Sequence, residues 1–220
     1  MKNSPLKTSL FACTLLAGVL VHSRAHAVEN FMPPYSEPAA GEKVMSFFIQ
    51  LPDHGVALTT GGLKGMKAAP EGIAPFSEPA LENTLALITK MADADNNVIG
   101  FASELEFFPG DPTTSEIKWD TAWTLTLPGR GMIYLHQIEQ SGGLGPNIVQ
   151  PAMESGAGWS GSWIVTTTTG PLPSGRGRII GGSGEFAGIK GSFVEIMNMT
   201  GFSAEGVMSG RVEIRLFVEE

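Results

Sequence analysis

The chain has 220 residues, 28 of them glycine, and sets 14 Lys and Arg side chains against 22 Asp and Glu. An acidic balance of this size argues against nucleic acid and against an anionic membrane surface as partners. One cysteine in the whole sequence excludes a disulfide framework, so a folded domain here must be held by core burial.

Residues 1–27 read as an export signal. Lys2 and Lys7 give a positive start, residues 10–21 form an apolar run, and Ala25-His26-Ala27 is the small-x-small pattern after which a signal peptidase cuts. Leu10-Phe11-Ala12-Cys13 loosely resembles a lipoprotein cleavage box, but the apolar run follows this cysteine instead of preceding it. The run is shorter than the roughly 20 residues of a membrane-spanning helix, and nothing later is long and apolar enough either. The signal holds three basic side chains and no acidic one, so cleavage near Ala27 leaves 11 basic against 22 acidic side chains. The expected product is a soluble secreted or periplasmic protein without Cys13, hence without a thiol nucleophile or thiolate metal site. Of the histidines, His54 and His136 remain, too few for a histidine-rich zinc site.

Residues 28–42, with Pro33, Pro34 and Pro38, predict an extended leader. Residues 43–220 then carry the punctuation of one all-β domain. Residues 44–51 (VMSFFIQL) predict a strand that stops at Pro52-Asp53-His54-Gly55, and residues 60–79 a long Gly- and Pro-rich loop. Residues 85–91 and 98–108 flank Ala92-Asp93-Ala94-Asp95-Asn96-Asn97 and predict a hairpin, although Leu, Ala and Met in 81–91 also suit a short helix. Residues 119–127 and 131–138 form a second pair around Pro128-Gly129-Arg130. Strands over 158–169, 178–180, 191–199 and 207–218 complete the set. In the last of these, Val212, Ile214, Leu216 and Val218 share one face, and Arg211, Glu213 and Arg215 the other. Many short strands with frequent glycine favour a barrel or sandwich over an α/β fold.

The run Ile179-Ile180-Gly181-Gly182-Ser183-Gly184-Glu185-Phe186-Ala187-Gly188-Ile189-Lys190-Gly191 is the most distinctive. Its Gly-Gly-Ser-Gly-x-Phe-x-Gly-x-x-Gly pattern resembles the signature of the dirigent and allene oxide cyclase-like barrel proteins. The aromatic strand 44–48, the hairpin into Gly100-Phe101-Ala102, the pair over 119–138 and the closing strand also fall where that family places them. The resemblance implies a closed antiparallel eight-stranded barrel of the calycin type, with an internal pocket for an apolar small molecule. It further implies assembly as a homo-trimer, no metal and no cofactor, and either cyclisation of a reactive intermediate or steering of radical coupling. Two departures stand out. Where dirigent proteins carry a functional aspartate after the first strand, the spacing here gives Gln50, with Asp53 three residues on. Residues 141–173 are longer than the family's connection.

Glu104 and Glu106 sit two apart on a strand, on one face with Gly100 and Ala102. If that face lines the barrel, burial turns one of them into a general acid or base. The opposite face, Phe101, Leu105 and Phe107, is the more apolar, which would instead put the carboxyls in water. Tyr134 and His136 share a face with Met132 and Ile138 and form a candidate proton-donating pair, or a hydrogen-bonded core pair. Asp120 and Glu195 read as solvated charges. Phe48, Trp123 and Trp163 are candidates to stack on a bound ring, or core residues. No Gly-x-Ser-x-Gly, phosphate loop, dinucleotide fingerprint or HExxH occurs. Two functions follow as expectations: a cyclase-, isomerase- or coupling-type barrel acting on an apolar small molecule, and a non-catalytic ligand-binding or interaction barrel.

Overall fold

Period-two alternation shapes this chain. Over Trp119–Leu127 the odd-numbered residues are buried, while Asp120 and Ala122 between them are exposed. The computed structural model describes residues 29–60, 74, 76–110 and 117–219. The expected export signal lies outside these residues, as does most of the loop over 60–79.

Twelve strands follow in order: β1 (Glu29–Phe31), β2 (Lys43–Leu51), β3 (Gly55–Thr60), β4 (Thr84–Ala92), β5 (Val98–Phe107), β6 (Trp119–Leu127), β7 (Gly131–Glu139), β8 (Trp159–Thr166), β9 (Thr168–Gly170), β10 (Gly177–Gly182), β11 (Gly191–Phe202) and β12 (Met208–Val218). A helical turn over Gly145–Val149 runs into α1 (Gln150–Ser155). No helix among the described residues is long and apolar enough to cross a membrane.

Eight strands close a ring in the order β11-β10-β7-β6-β5-β4-β2-β12, and β12 pairs back onto β11. Every step of the ring is antiparallel. The fold is therefore the all-β, closed eight-stranded barrel that the sequence predicts. Closure leaves no free sheet edge in the ring. The remaining strands widen the wall. β10 pairs with β11 at Ser192 and Phe193, and β8 takes over from Ile196 to Phe202. β3 runs along β4, which β2 meets only at Ala92. β9 covers the end of β7.

Residues 84–92 form a strand, not the alternative helix. Residues 55–60, where no element was expected, also form one. The leader is a correction too, because residues 29–42 are not merely extended. β1 pairs in parallel with β8, and Met32 and Tyr35 pack on Val194, Ile196 and Phe217 on the outer wall. The buried Arg176 guanidinium fastens this segment. It donates to the Tyr35 and Glu37 carbonyl oxygens and to Glu42 Oε1, each at 2.7 Å, and lies 3.7 Å above the Phe217 ring.

The glycine segment forms the end of β10 and a turn over Gly184–Phe186 that buries Phe186. Gly184 has φ +61°, and a Cβ there would stand 2.2 Å from the Arg130 carbonyl oxygen. Only glycine fits this approach of two backbones.

Inside the ring the two ends differ. Phe47, Met91, Ala102, Leu125, Ile133, Leu135, Phe193, Ile214 and Leu216 pack one end solid. The other end holds a cavity.

Candidate functional site

The cavity, about 130 Å³, has walls from Ile49, Leu51, Leu87, Phe108, Met208 and Val212, with Leu144, Gly145 and Val149 of the 141–173 connection also lining it. Trp119 and Trp123 complete the apolar lining. Four carboxyls break it: Glu104 and Glu106 from β5, Glu139 from β7 and Glu195 from β11. Each is placed by strand alternation, Glu104 following Ala102 inward and Glu139 following Ile133, Leu135 and Gln137.

The carboxyls are not equivalent. Glu139 is supplied with donors on both oxygens. Oε2 accepts from Trp119 Nε1 at 3.0 Å and Thr121 Oγ1 at 2.7 Å. Oε1 accepts from Gln137 Nε2 at 2.6 Å and Thr167 Oγ1 at 2.8 Å. Glu195 Oε2 accepts from Trp123 Nε1 at 3.0 Å and from Gln137 Nε2 at 2.7 Å. Thr168 fixes the amide of Gln137 by donating to its oxygen, and accepts from the Glu195 backbone N–H. Glu106 Oε1 accepts from Trp119 Nε1 at 3.0 Å. Glu104, 6% exposed, has no protein donor among the described residues.

Burial, reinforced by the charges of Glu195, Glu106 and Glu139, raises the Glu104 carboxyl well above the ordinary carboxylate range. Glu106 is raised by burial and by Glu139, against the opposing pull of the Trp119 N–H. Glu195 is raised by burial and by Glu139, against Gln137 and Trp123. Glu106 and Glu195 both hydrogen-bond the Glu139 carboxyl, which two carboxyl groups achieve only when one keeps its proton. The arrangement sets Glu139, buried and supplied with four donors, among carboxyls that favour the acid form. Glu104, Glu106 and Glu139 each offer an oxygen within 4.8 Å of the others, a separation at which a hard cation could bridge them.

Of the residues singled out from sequence, Glu104 and Trp123 line the cavity together. Glu104 and Glu106 thus face inward, and it is Phe101, Leu105 and Phe107 that face out, at 49%, 56% and 59% exposure. Tyr134 and His136 lie on the outer wall of β7, because the inward positions belong to Ile133, Leu135 and Gln137. His136 Nε2 meets Asp120 Oδ1 at 3.0 Å there, and the Tyr134 hydroxyl meets the Met132 sulfur. Phe48 is also outward, beneath the Arg211 guanidinium at 3.8 Å, since Phe47 and Ile49 take the inside. Trp163 is buried in the core on β8, away from the cavity. Gln50 is exposed and donates to the Gly210 carbonyl oxygen, and Asp53 is exposed in the turn.

Sequence reasoning missed Glu139 and misplaced Glu195. Glu139 stands one residue past the expected end of its strand, in step with Ile133 and Leu135. Glu195 was read as solvated, but β11 is buried on both faces because the leader covers Val194 and Ile196. Comparison with models of known protein families gives no match, and no curated protein matches the sequence either.

Proposed function

We propose that this chain is an exported small-molecule-binding barrel in which Glu104 exchanges a proton with an apolar substrate, assisting a cyclisation or isomerisation without a cofactor. The observation that carries this reading is Glu104 itself. It is a buried carboxyl with no hydrogen-bond donor among the described residues, facing an apolar cavity, and burial with the neighbouring carboxyls strengthens its hold on its proton. An isomerisation returns to Glu104 the proton it gives, so the carboxyl ends the cycle as it began. The resemblance of the Gly181–Gly191 run to dirigent and allene oxide cyclase-like proteins supports the same class. The outward position of Gln50 favours acid–base chemistry over radical coupling.

The test is mass spectrometry of small molecules that co-purify with the protein, followed by turnover of the molecule found. Glu104→Gln should lower turnover on the order of 100-fold, the usual weight of one general acid or base. His136→Ala, on the outer wall, should leave it unchanged. Full activity in Glu104→Gln would sink the catalytic reading.

The second reading, an interaction barrel, draws on the outer face of β4 and β5. Ile88, Phe101, Leu105 and Phe107 are each about half exposed there. Apolar patches of this kind mark association surfaces, and a homo-trimer is the assembly proposed for it.

A further inference from the structure

We infer that the cavity takes a compact amine in its ammonium form, donating to Glu104 and Glu106, with its apolar body against Ile49, Leu87 and Trp123. This rests on the reading of the barrel interior as a ligand site. The first ground is charge. Four carboxyls line the cavity, and no Lys, Arg or His does so among the described residues. A cationic ligand supplies the countercharge with which a buried carboxyl can give up its proton and stay charged, since buried charges are stable only when paired.

The second ground is Glu104, nine-tenths buried, aimed into the cavity and lacking a donor among the described residues. A carboxyl in that position is satisfied by a donor that a ligand brings into the cavity. Beside its contact with the Glu139 carboxyl, Glu106 accepts only the Trp119 N–H among the described residues, which leaves it spare acceptor capacity.

Geometry fits an ammonium group. Two N–H bonds at tetrahedral spread, each about 2.8 Å from nitrogen to oxygen, reach oxygens roughly 4.6 Å apart. The Glu104 and Glu106 oxygens lie no more than 4.8 Å apart, close enough for one ammonium group to reach both. A divalent cation fits less well. It needs a share of Glu139, whose two oxygens already accept four donors from Trp119, Thr121, Gln137 and Thr167. A metal would have to displace those donors, whereas an ammonium group on Glu104 and Glu106 leaves them in place. The size of the body follows from the volume. About 130 Å³ approaches the ~150 Å³ of apolar cavities that hold a benzene ring.

Benzylamine and its neutral counterpart benzyl alcohol are suitable probes, titrated into the purified protein and followed by calorimetry and tryptophan fluorescence. Benzylamine should bind at least ~10-fold more tightly than the alcohol, the effect of one charge-assisted hydrogen bond. Glu104→Gln should abolish that preference, bringing the affinity for benzylamine down to that for benzyl alcohol. Benzyltrimethylammonium, charged but without N–H donors, should bind more weakly than benzylamine to the unaltered protein, which tests the geometry even if the variant does not fold. Equal binding of amine and alcohol overturns the inference and leaves the interior ligand site standing. Binding of neither overturns both. Stoichiometric binding of magnesium or calcium chloride that expels benzylamine shows a metal site in place of the amine site.

Discussion

The single indole N–H of Trp119 is divided between a half-buried and a buried carboxyl, lying 3.0 Å from both Glu106 Oε1 and Glu139 Oε2. Glu139 keeps three other donors without it, but Glu106 has no second N–H donor among the described residues. Trp119→Phe should therefore destabilise the fold by about 1–3 kcal/mol through the unsatisfied acceptor. Trp123→Phe should cost less, because Gln137 still serves Glu195. Urea unfolding of the two variants measures the difference, and equal losses would contradict the shared-donor account.

Stability should fall as pH rises. Glu104, Glu106 and Glu195 hold their protons more tightly folded than unfolded. Below the unfolded value, about 4.3, both states are protonated and the stabilisation is complete. Above it the unfolded chain releases protons that the folded barrel keeps, and stability is lost until the folded value is passed. Glu42 runs the other way: burial raises it, but the Arg176 guanidinium and the Ala39 N–H together lower it further. Glu104→Gln should match the unaltered protein at pH 4 and exceed it in stability at pH 8. Unfolding curves at the two pH values decide this, and a variant weaker at pH 8 would refute it.

Gly184→Ala and Gly188→Ala should separate two costs. Both positions have positive φ, +61° and +78°. Around Gly188 nothing lies within 4 Å of a new Cβ, so its penalty is the left-handed backbone alone, about 1–2 kcal/mol. At Gly184 the Arg130 carbonyl oxygen is in the way, and the loss should be clearly larger. Comparable midpoints of thermal unfolding in the two variants would argue against the close approach.

The apolar outer face predicts self-association. Replacing Leu105 and Phe107 together by Lys removes two of its most exposed members without touching the interior. Sedimentation velocity should show the unaltered protein as an oligomer and the variant shifted toward monomer. An unaltered protein that stays monomeric at high concentration would reject this use of the face.

Much of the fold was legible because burial alternates along the strands. β6 was expected over its observed residues, and β12 shows the Val212-Ile214-Leu216 face inside. The site was harder to read, since polarity pointed the wrong way on β5. The strand buries Glu104 and Glu106 and exposes Phe101, Leu105 and Phe107, so hydrophobicity alone inverts its faces. On β11 both faces are apolar, because an element some 160 residues earlier in the chain covers the outer one. Neither fact is written locally. Tyr134 and His136 were plausible as chemistry, but the inward phase of β7 is set by Leu135 and by the Gln137–Glu139 hydrogen bond.

Half of this barrel's interior is solid and half is hollow, and the two halves tolerate change differently. A shortened side chain at Leu135 or Phe193 opens a void among neighbours that cannot close around it, costing several kcal/mol, about 2–5 by general experience. The same change at Ile49, Leu87 or Met208 enlarges a space that already exists. Mutational drift, or a designer's library, can thus resculpt which molecule the barrel admits while the solid end keeps the strands in register.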